Sequence, residues 1–171
     1  MDAMPPAHSG SDNTFFQFEA DFVNSLRCIP MQVRLKLDTC GVKLKLEHWH
    51  RFSEGDRQRL TQLPCHDGPT ASAYTTAVQT LVQQVQGTPA STLAVDPAPP
   101  WHNGAAMPAE VQAQAALLGV AIALEQWRSL SPLQRFALIK LSRPGHENRN
   151  FAATLTEFGL ASRPTTPQQR H

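Results

Sequence analysis

The pattern of apolar and polar positions predicts an all-α protein. Apolar residues recur at helical spacing in four segments, which are residues 70–86, 109–128, 132–141 and 148–158. The first segment stops at Gly87, a common residue at a helix end. The third follows Ser131 and begins with Pro132, and Gln134 stands three residues after the serine, which is the pattern of a capping box. These signals predict helix positions and carry no chemistry.

Residues 31–46 are ambiguous because MQVRLKLDTCGVKLKL alternates apolar and polar side chains. Taken literally, the alternation predicts a small β-hairpin near residues 33–46, with 38–41 as its turn. Pro30 and Gly41, however, suit the start and end of a helix. No other strand candidate is present, and a lone two-stranded ribbon is marginal in water. We therefore favour a helix over 31–40 and keep the hairpin as the alternative.

An internal repeat aligns residues 46–63 on 124–141 without gaps. The identical positions are Leu46/Leu124, Glu47/Glu125, Trp49/Trp127, Ser53/Ser131, Arg57/Arg135, Leu60/Leu138 and Leu63/Leu141. We interpret it as a helix–turn–helix corner used twice, in which a tryptophan closes one helix and a serine caps the next. The repeat predicts two similar helical halves about an approximate two-fold axis. A DNA-reading role is disfavoured because the second helices carry few basic and amide side chains.

Proline positions predict the domain organisation. Residues 87–108 hold five prolines, which forbid helix interiors and predict a long loop that is either a linker or a binding loop. We expect Trp101 in this loop to pack back on the protein. The prediction is one helical domain over 15–160, with halves 15–86 and 109–160 and disordered tails at 1–14 and 161–171.

Composition excludes several classes of protein. A net charge of +1 argues against a general nucleic-acid binder, because neutralising phosphates needs a basic excess. The longest apolar run, residues 115–124, is too short to cross a bilayer and suits a buried helix. The first residues lack the pattern of a secretion signal. We therefore expect a soluble cytoplasmic protein whose cysteines are reduced.

Candidate chemistry is sparse. Cys28, Cys40, Cys65 and His66 are weak metal-ligand candidates, because the close cysteine pairs of structural zinc sites are missing and buried free thiols are the simpler interpretation. His48 and His50 are expected at the surface. The sequence shows no nucleophile elbow and no phosphate-binding glycine loop. We therefore predict no catalytic residues, no enzyme activity and no cofactor.

Charge is concentrated near the first corner. Residues 27–51 carry six basic and two acidic side chains, a local charge of +4, whereas residues 1–26 carry four acidic and no basic ones. A solvated helix face is the ordinary explanation. The alternative is a positive patch that docks an acidic partner or an anionic cofactor. The candidate partner-binding residues are Arg27, Arg34, Lys36, Lys43 and Lys45.

Three segments resemble one family. The run FEADFVNSLRCIPMQVRLKLDTCGVKLKLEHW (18–49), the later LPC (63–65) and the closing NFAATLTEFGL (150–160) resemble the nitrate reductase associated protein family. The resemblance spans roughly residues 15–160. It implies an accessory role for bacterial assimilatory nitrate reductase, a cytoplasmic enzyme that carries molybdopterin and an iron–sulfur cluster. It supplies no catalytic residues.

The resulting expectation is a non-catalytic accessory or maturation factor that acts by protein–protein interaction with nitrate reductase. The alternative is a carrier that holds a metal, an iron–sulfur species or the molybdenum cofactor on its cysteines. A DNA-binding regulator is a third and weaker alternative.

Overall fold

The computed structural model describes residues 15–19, 26–144 and 148–161. The predicted tail at 1–14 and nearly all of that at 161–171 lie outside these ranges. The described residues are helical and form no strand, with a single isolated bridge between Val42 and Thr92. The all-α prediction is confirmed.

The described α-helices fall into two compact units, Met1–Pro97 and Ala98–His171. The first unit holds α1 (Met31–Cys40), α2 (Leu46–Arg51), α3 (Glu54–Gln62) and α4 (Gly68–Gln86). The second holds α5 (Ala109–Leu117), α6 (Leu124–Ser129), α7 (Pro132–Ser142) and α8 (Asn148–Glu157). Short 3-10 helices occupy Gln17–Glu19 and Pro100–His102. The division falls inside the predicted proline-rich loop, and the prediction of one domain over 15–160 stays a prediction.

Helix α1 resolves the ambiguous segment in favour of a helix, so the hairpin alternative is wrong. The helix ends at Gly41, whose φ of 81° is left-handed and whose N–H donates to the carbonyl of Leu37. Beyond it the chain is extended and pairs with residues 91–93. Lys43 N donates to Ser91 O at 2.8 Å, and Leu93 N donates to Gly41 O at 2.8 Å. The apolar alternation therefore reflects a helix followed by one short extended segment.

The core of the first unit surrounds α4. This helix begins two residues before the predicted start, because the Asp67 side chain accepts the N–H of Thr70 and caps it. Its apolar stripe buries Tyr74, Val78 and Val82. Burial of such side chains contributes roughly 1.5–3 kcal/mol each relative to exposure, which makes this stripe the main stabilising surface of the unit.

The segment predicted as one helix over 109–128 is two helices, so that prediction is wrong. Helix α5 ends at Leu117, Gly119 takes a left-handed φ of 73°, and Val120 N donates back to Ala115 O at 2.9 Å. This arrangement satisfies carbonyls at the helix end and turns the chain. Helix α6 begins only at Leu124. Alanine and leucine content indicated a continuous helix, but the glycine ended it.

The core of the second unit surrounds α7. Ser131 accepts the N–H of Gln134 and the Gln134 side chain accepts the N–H of Ser131, so the predicted capping box is confirmed. Trp101 is 9% exposed and packs edge-on to Phe136 with ring centroids 5.0 Å apart. Its predicted packing is confirmed. Among the described residues its buried indole N–H has no acceptor.

The two repeated corners share the same local contacts. Trp49 and Trp127 are both fully buried. Trp49 Nε1 donates to Leu26 O at 2.6 Å, and Trp127 Nε1 donates to Asn103 O at 3.0 Å. Each tryptophan thus holds a segment that precedes its corner in the chain. We call these segments the first strap (residues 26–27) and the second strap (residues 101–103).

The repeated arginines hold the same straps. Arg57 donates to Leu26 O and twice to Phe52 O. Arg135 is buried and donates to the carbonyls of Trp101, Trp127 and Arg128 at 3.0–3.1 Å. Desolvation by burial lowers the pKa of Arg135. The planar guanidinium fork serves several carbonyls at once, which explains why both corners carry arginine. The two-fold relation between the halves stays a prediction.

Candidate functional site

The predicted basic segment is only partly at the surface. Arg27, Lys43 and Lys45 are exposed. Arg34 is half-buried, and its Nε donates to Ile29 O at 3.2 Å. Lys36 is 1% exposed, so it does not lie on an accessible face. A docking face on this segment is therefore restricted to its exposed members, and Lys36 has a structural role instead.

Lys36 belongs to a buried polar cluster between α1, α3 and α4. Its Nζ donates to Gln32 Oε1 at 3.2 Å and to Thr61 O at 3.0 Å, and lies 5.9 Å from the ring centroid of Tyr74. Tyr74 in turn donates its hydroxyl to Leu60 O at 2.8 Å. Desolvation raises the pKa of Tyr74, and the neighbouring Cys40 and Cys65 raise it further. The cluster ties three helices together.

Two of the predicted metal-ligand candidates meet at the edge of this cluster. Cys65 is buried and its thiol hydrogen-bonds to the half-buried Cys40. Both sulfurs also face neighbouring carbonyls of α1, with Cys40 Sγ 3.7 Å from Leu37 O and Cys65 Sγ 3.4 Å from Lys36 O. Hydrogen bonds, the largest being that with Cys65, lower the pKa of Cys40 to about 7 against an opposing effect of burial. We call Cys40 and Cys65 the thiol pair.

The other two candidates do not join the thiol pair in a metal site. His66 is exposed, and its Nε2 lies 3.6 Å from an Asp67 carboxylate oxygen. Cys28 is half-buried and free. Across residues 15–19, 26–144 and 148–161, no three His, Cys, Asp or Glu side chains lie close enough to hold a metal ion. The described part of the chain therefore brings together two thiols rather than the four ligands typical of a structural zinc site.

His48 is buried rather than exposed, so its predicted surface position is wrong. Its Nδ1 accepts the backbone N–H of Lys45 at 3.2 Å, and its Nε2 lies 2.8 Å from Gln86 Oε1. Because Nδ1 accepts a proton donor, Nε2 must carry the ring hydrogen and donate to Gln86. His50 is exposed as predicted, with Nε2 2.7 Å from Arg27 O. Both histidines therefore stabilise the first corner, His48 by bonding to Lys45 and Gln86 and His50 by bonding to the first strap.

An apolar surface lies in the second unit, where sequence reasoning missed it. The run at 115–124 was expected to form a buried helix, but Leu117 is 79% exposed, Leu118 46% and Leu124 43%. We call residues 117–124 the apolar connection, because they link α5 to α6. A signal was available in Gly119, which interrupts the run at the position where the helix ends.

A shallow groove of about 330 Å³ lies between α3 and α4 in the first unit. Alanines on α4 leave this space, and Asp56 and Arg59 supply the charged side chains at its rim. The lining is otherwise threonine, glutamine and leucine. These groups offer no nucleophile paired with a base, so the groove does not resemble a catalytic site.

Fold and surfaces together define the class: a helical protein of two compact units with buried polar corners, a thiol pair and an exposed apolar connection. The chain belongs to the family described as conserved nitrate reductase-associated protein, whose model matches residues 15–158. No curated protein matches the chain, and no solved structure matches it. None of the helices in the described part of the chain is long and apolar enough to span a bilayer.

Proposed function

We propose that the protein is a non-catalytic accessory factor that binds cytoplasmic assimilatory nitrate reductase and supports its maturation or stability. The observation that supports the proposal is membership, over residues 15–158, of a family named for association with nitrate reductase. A description as an associated protein favours a binding role over a catalytic one. The surfaces of each unit suggest where binding takes place.

The apolar connection is the best-suited docking surface. Three leucines are exposed within eight residues, and Leu117 is the most exposed of them at 79%. Scattered exposed apolar residues are ordinary, but a contiguous group is typical of a surface that a partner covers. Burying a leucine contributes roughly 1.5–3 kcal/mol, so two or three of them are enough to dominate a moderate interface.

The exposed basic residues of the first unit are proposed to steer the encounter. Arg27, Lys43 and Lys45 are basic side chains at the surface. Charges at the rim of an interface mainly raise the association rate and add salt dependence, whereas buried apolar contacts slow dissociation. The two surfaces therefore predict different kinetic defects when each is altered.

Co-purification of the tagged full-length protein with nitrate reductase tests both surfaces. We expect Leu117→Ser with Leu118→Ser to abolish capture, with circular dichroism unchanged because both side chains are already exposed. Val95→Ser is the matched control, since Val95 is 53% exposed but lies outside the apolar connection. Capture that survives the leucine changes would remove the apolar connection from the proposal.

Charge reversal tests the steering surface. We expect Arg27→Glu, Lys43→Glu and Lys45→Glu together to slow association and reduce its salt dependence while the complex still forms. Arg59→Glu with Arg143→Glu is the control, because both arginines are exposed and lie outside the basic segment. An association rate equal to wild type, at low and high salt alike, would contradict steering.

Gene deletion separates the two forms of assistance. Normal amounts of nitrate reductase with poor activity would indicate maturation, and missing enzyme would indicate stabilisation. Unchanged amount and unchanged activity would contradict the accessory role itself. Both quantities therefore have to be measured in the same extracts.

A second candidate is a carrier that delivers a metal, an iron–sulfur species or the molybdenum cofactor to the same enzyme. The contact between Cys40 and Cys65 favours it, since two adjacent thiols can supply half of a tetrahedral site. Further ligands would have to come from the partner or a second copy. Metal analysis and an absorption spectrum of anaerobically purified protein, alone and with the reductase, test this: a stoichiometric signal lost in Cys40→Ser and Cys65→Ser supports it, and no signal contradicts it.

A further inference from the structure

The thiol pair has a geometry that the accessory role does not use. Cys40 is the last residue of α1, and Cys65 lies in the turn between α3 and α4. Their side chains nevertheless hydrogen-bond to each other, and their sulfurs face the carbonyls of the consecutive residues Lys36 and Leu37. Both pack on the same buried core of the first unit. Two thiols separated by 25 positions in sequence are thus held beside each other by the fold.

The two sulfurs differ in access. Cys65 is 5% exposed, whereas Cys40 is only half-buried. A small molecule in solvent therefore has better access to Cys40 than to Cys65. Reactive cysteines in other proteins combine partial exposure with a stabilised thiolate, and a second cysteine beside them resolves the first product.

The surroundings of Cys40 favour its thiolate. A side-chain hydrogen bond with Cys65 has the largest effect, and Thr75 on α4 adds another side-chain hydrogen bond. These contacts lower the pKa of Cys40 from 9.0 to about 7, which favours its thiolate. The other titratable groups nearby are Tyr74 on α4, which interacts with the charges of both cysteines, and Lys36 on α1, whose carbonyl Cys65 contacts.

We propose that Cys40 and Cys65 form a reversible dithiol site that reacts with small peroxides, with Cys40 as the attacking thiol and Cys65 as the resolving thiol. The Cys40 thiolate attacks one peroxide oxygen, the S–O bond forms, the O–O bond breaks, and the leaving hydroxide takes a proton to become water. The Cys65 thiol then attacks the sulfenic sulfur. The S–S bond forms, the S–O bond breaks, and hydroxide leaves as water with the proton from Cys65.

The balance is two thiols and one peroxide giving one disulfide and two waters. A cellular dithiol reductant reverses the reaction by thiol–disulfide exchange. The disulfide would close the end of α1 onto the α3–α4 turn and restrict the unfolded chain, so the oxidised protein should melt at a higher temperature. This proposal does not depend on binding to nitrate reductase and can fail or succeed separately.

Hydrogen peroxide added to the full-length protein tests the site. We expect the free thiol count to fall from the three of the reduced chain to one, with the mass of the monomer lower by two hydrogens. Peptide mapping should find a Cys40–Cys65 link, and dithiothreitol should restore all three thiols. Links through Cys28, or disulfides only between molecules, would overturn the proposal.

Three serine variants assign the roles. We expect Cys65→Ser to retain fast reaction at Cys40 and accumulate a sulfenic acid that dimedone traps, and Cys40→Ser to lose the fast reaction at least tenfold. Cys28→Ser is the control and should behave as wild type. Circular dichroism checks that each variant folds. If a variant does not fold, peptide mapping of the oxidised wild-type protein still tests the Cys40–Cys65 link. A Cys40→Ser protein that forms the disulfide-mass product at the wild-type rate would overturn the assignment.

Discussion

At the scale of the residue, a histidine and a glutamine perform the same task at equivalent positions of the two corners. His48 Nδ1 accepts the N–H of Lys45, and Gln126 Oε1 accepts the N–H of Ala123 at 2.9 Å. Each satisfies a backbone donor just before a short helix, where no intrahelical acceptor is available. The alignment did not count this pair as identical, although its chemistry is shared.

This equivalence predicts that His48→Gln is tolerated and His48→Leu is not. Glutamine can accept from Lys45 and still reach Gln86, so we expect a loss of less than about 1 kcal/mol in the free energy of unfolding. Leucine removes the acceptor of the Lys45 N–H and the donor to Gln86 Oε1, and we expect a loss of about 1–2 kcal/mol. Urea unfolding of the two variants measures the difference. Equal losses would show that the hydrogen bonds of His48 contribute little.

The buried Arg135 provides a second prediction. Arg135→Lys keeps the charge but cannot reach three carbonyls, so we expect it to lower the free energy of unfolding by about 2–3 kcal/mol. Arg143→Lys is the control, because Arg143 is exposed and should change stability by less than about 0.5 kcal/mol. Thermal melting compares them. A variant of Arg135 as stable as its control would mean that solvent replaces the lost bonds.

At the scale of the element, two glycines end helices under different constraints. Gly41 and Gly119 both have a left-handed φ, 81° and 73°. A Cβ on Gly41 would lie 2.9 Å from Leu93 O and from Val95 Cγ2, whereas one on Gly119 would meet nothing within 4 Å. Gly41 is therefore required both for its left-handed φ and for its close contact with the segment at 93–95. Gly119 is required for its left-handed φ alone.

Alanine at each position separates the two constraints. We expect Gly119→Ala to cost about 1 kcal/mol, which is the strain of a left-handed residue with a side chain. Gly41→Ala adds a clash against backbone, so we expect a loss of more than about 2 kcal/mol. Chemical unfolding provides both values. Similar losses would indicate that the segment at 91–95 moves away without cost.

The sequence correctly predicts those helix ends that are set by residues close to the end itself. Ser131 with Gln134, and Gly41 after α1, act within a few residues, so the sequence contains the whole cause. The run at 115–124 was misread because apolar composition does not reveal whether a partner element covers it. Lys36 and His48 were misplaced because their acceptors, Thr61 O and Gln86, are distant in sequence. The contact between Cys40 and Cys65 could not be predicted from the sequence either, because the two cysteines are distant in sequence.

At the scale of the whole molecule, each unit has its own buried core and its own tryptophan corner. The core of the first unit includes Trp49 and Tyr74, and that of the second includes Trp127 and Phe136. Units built from repeats often cannot bury their apolar faces alone. Whether the two cores unfold as one cooperative unit or as two can therefore be measured directly.

We expect the two cores to unfold together, as the predicted single domain over 15–160 requires. Hydrogen exchange followed by mass spectrometry in increasing urea should show amides of α4 and α7 losing protection at the same urea concentration. Separate midpoints for the two helices would contradict a single cooperative domain and would make each compact unit a domain of its own.

The straps also set the order of events during synthesis. Leu26 leaves the ribosome 31 residues before Arg57, and Trp101 leaves 34 residues before Arg135. The Leu26 carbonyl can first accept the indole N–H of Trp49, whereas the Trp101 carbonyl waits open to water until the Arg135 guanidinium has been translated. A nascent chain stopped just short of Arg135 contains the starts of α5, α6 and α7 but lacks α8 and the guanidinium that binds the second strap, and we expect such a fragment to be an early target for proteases.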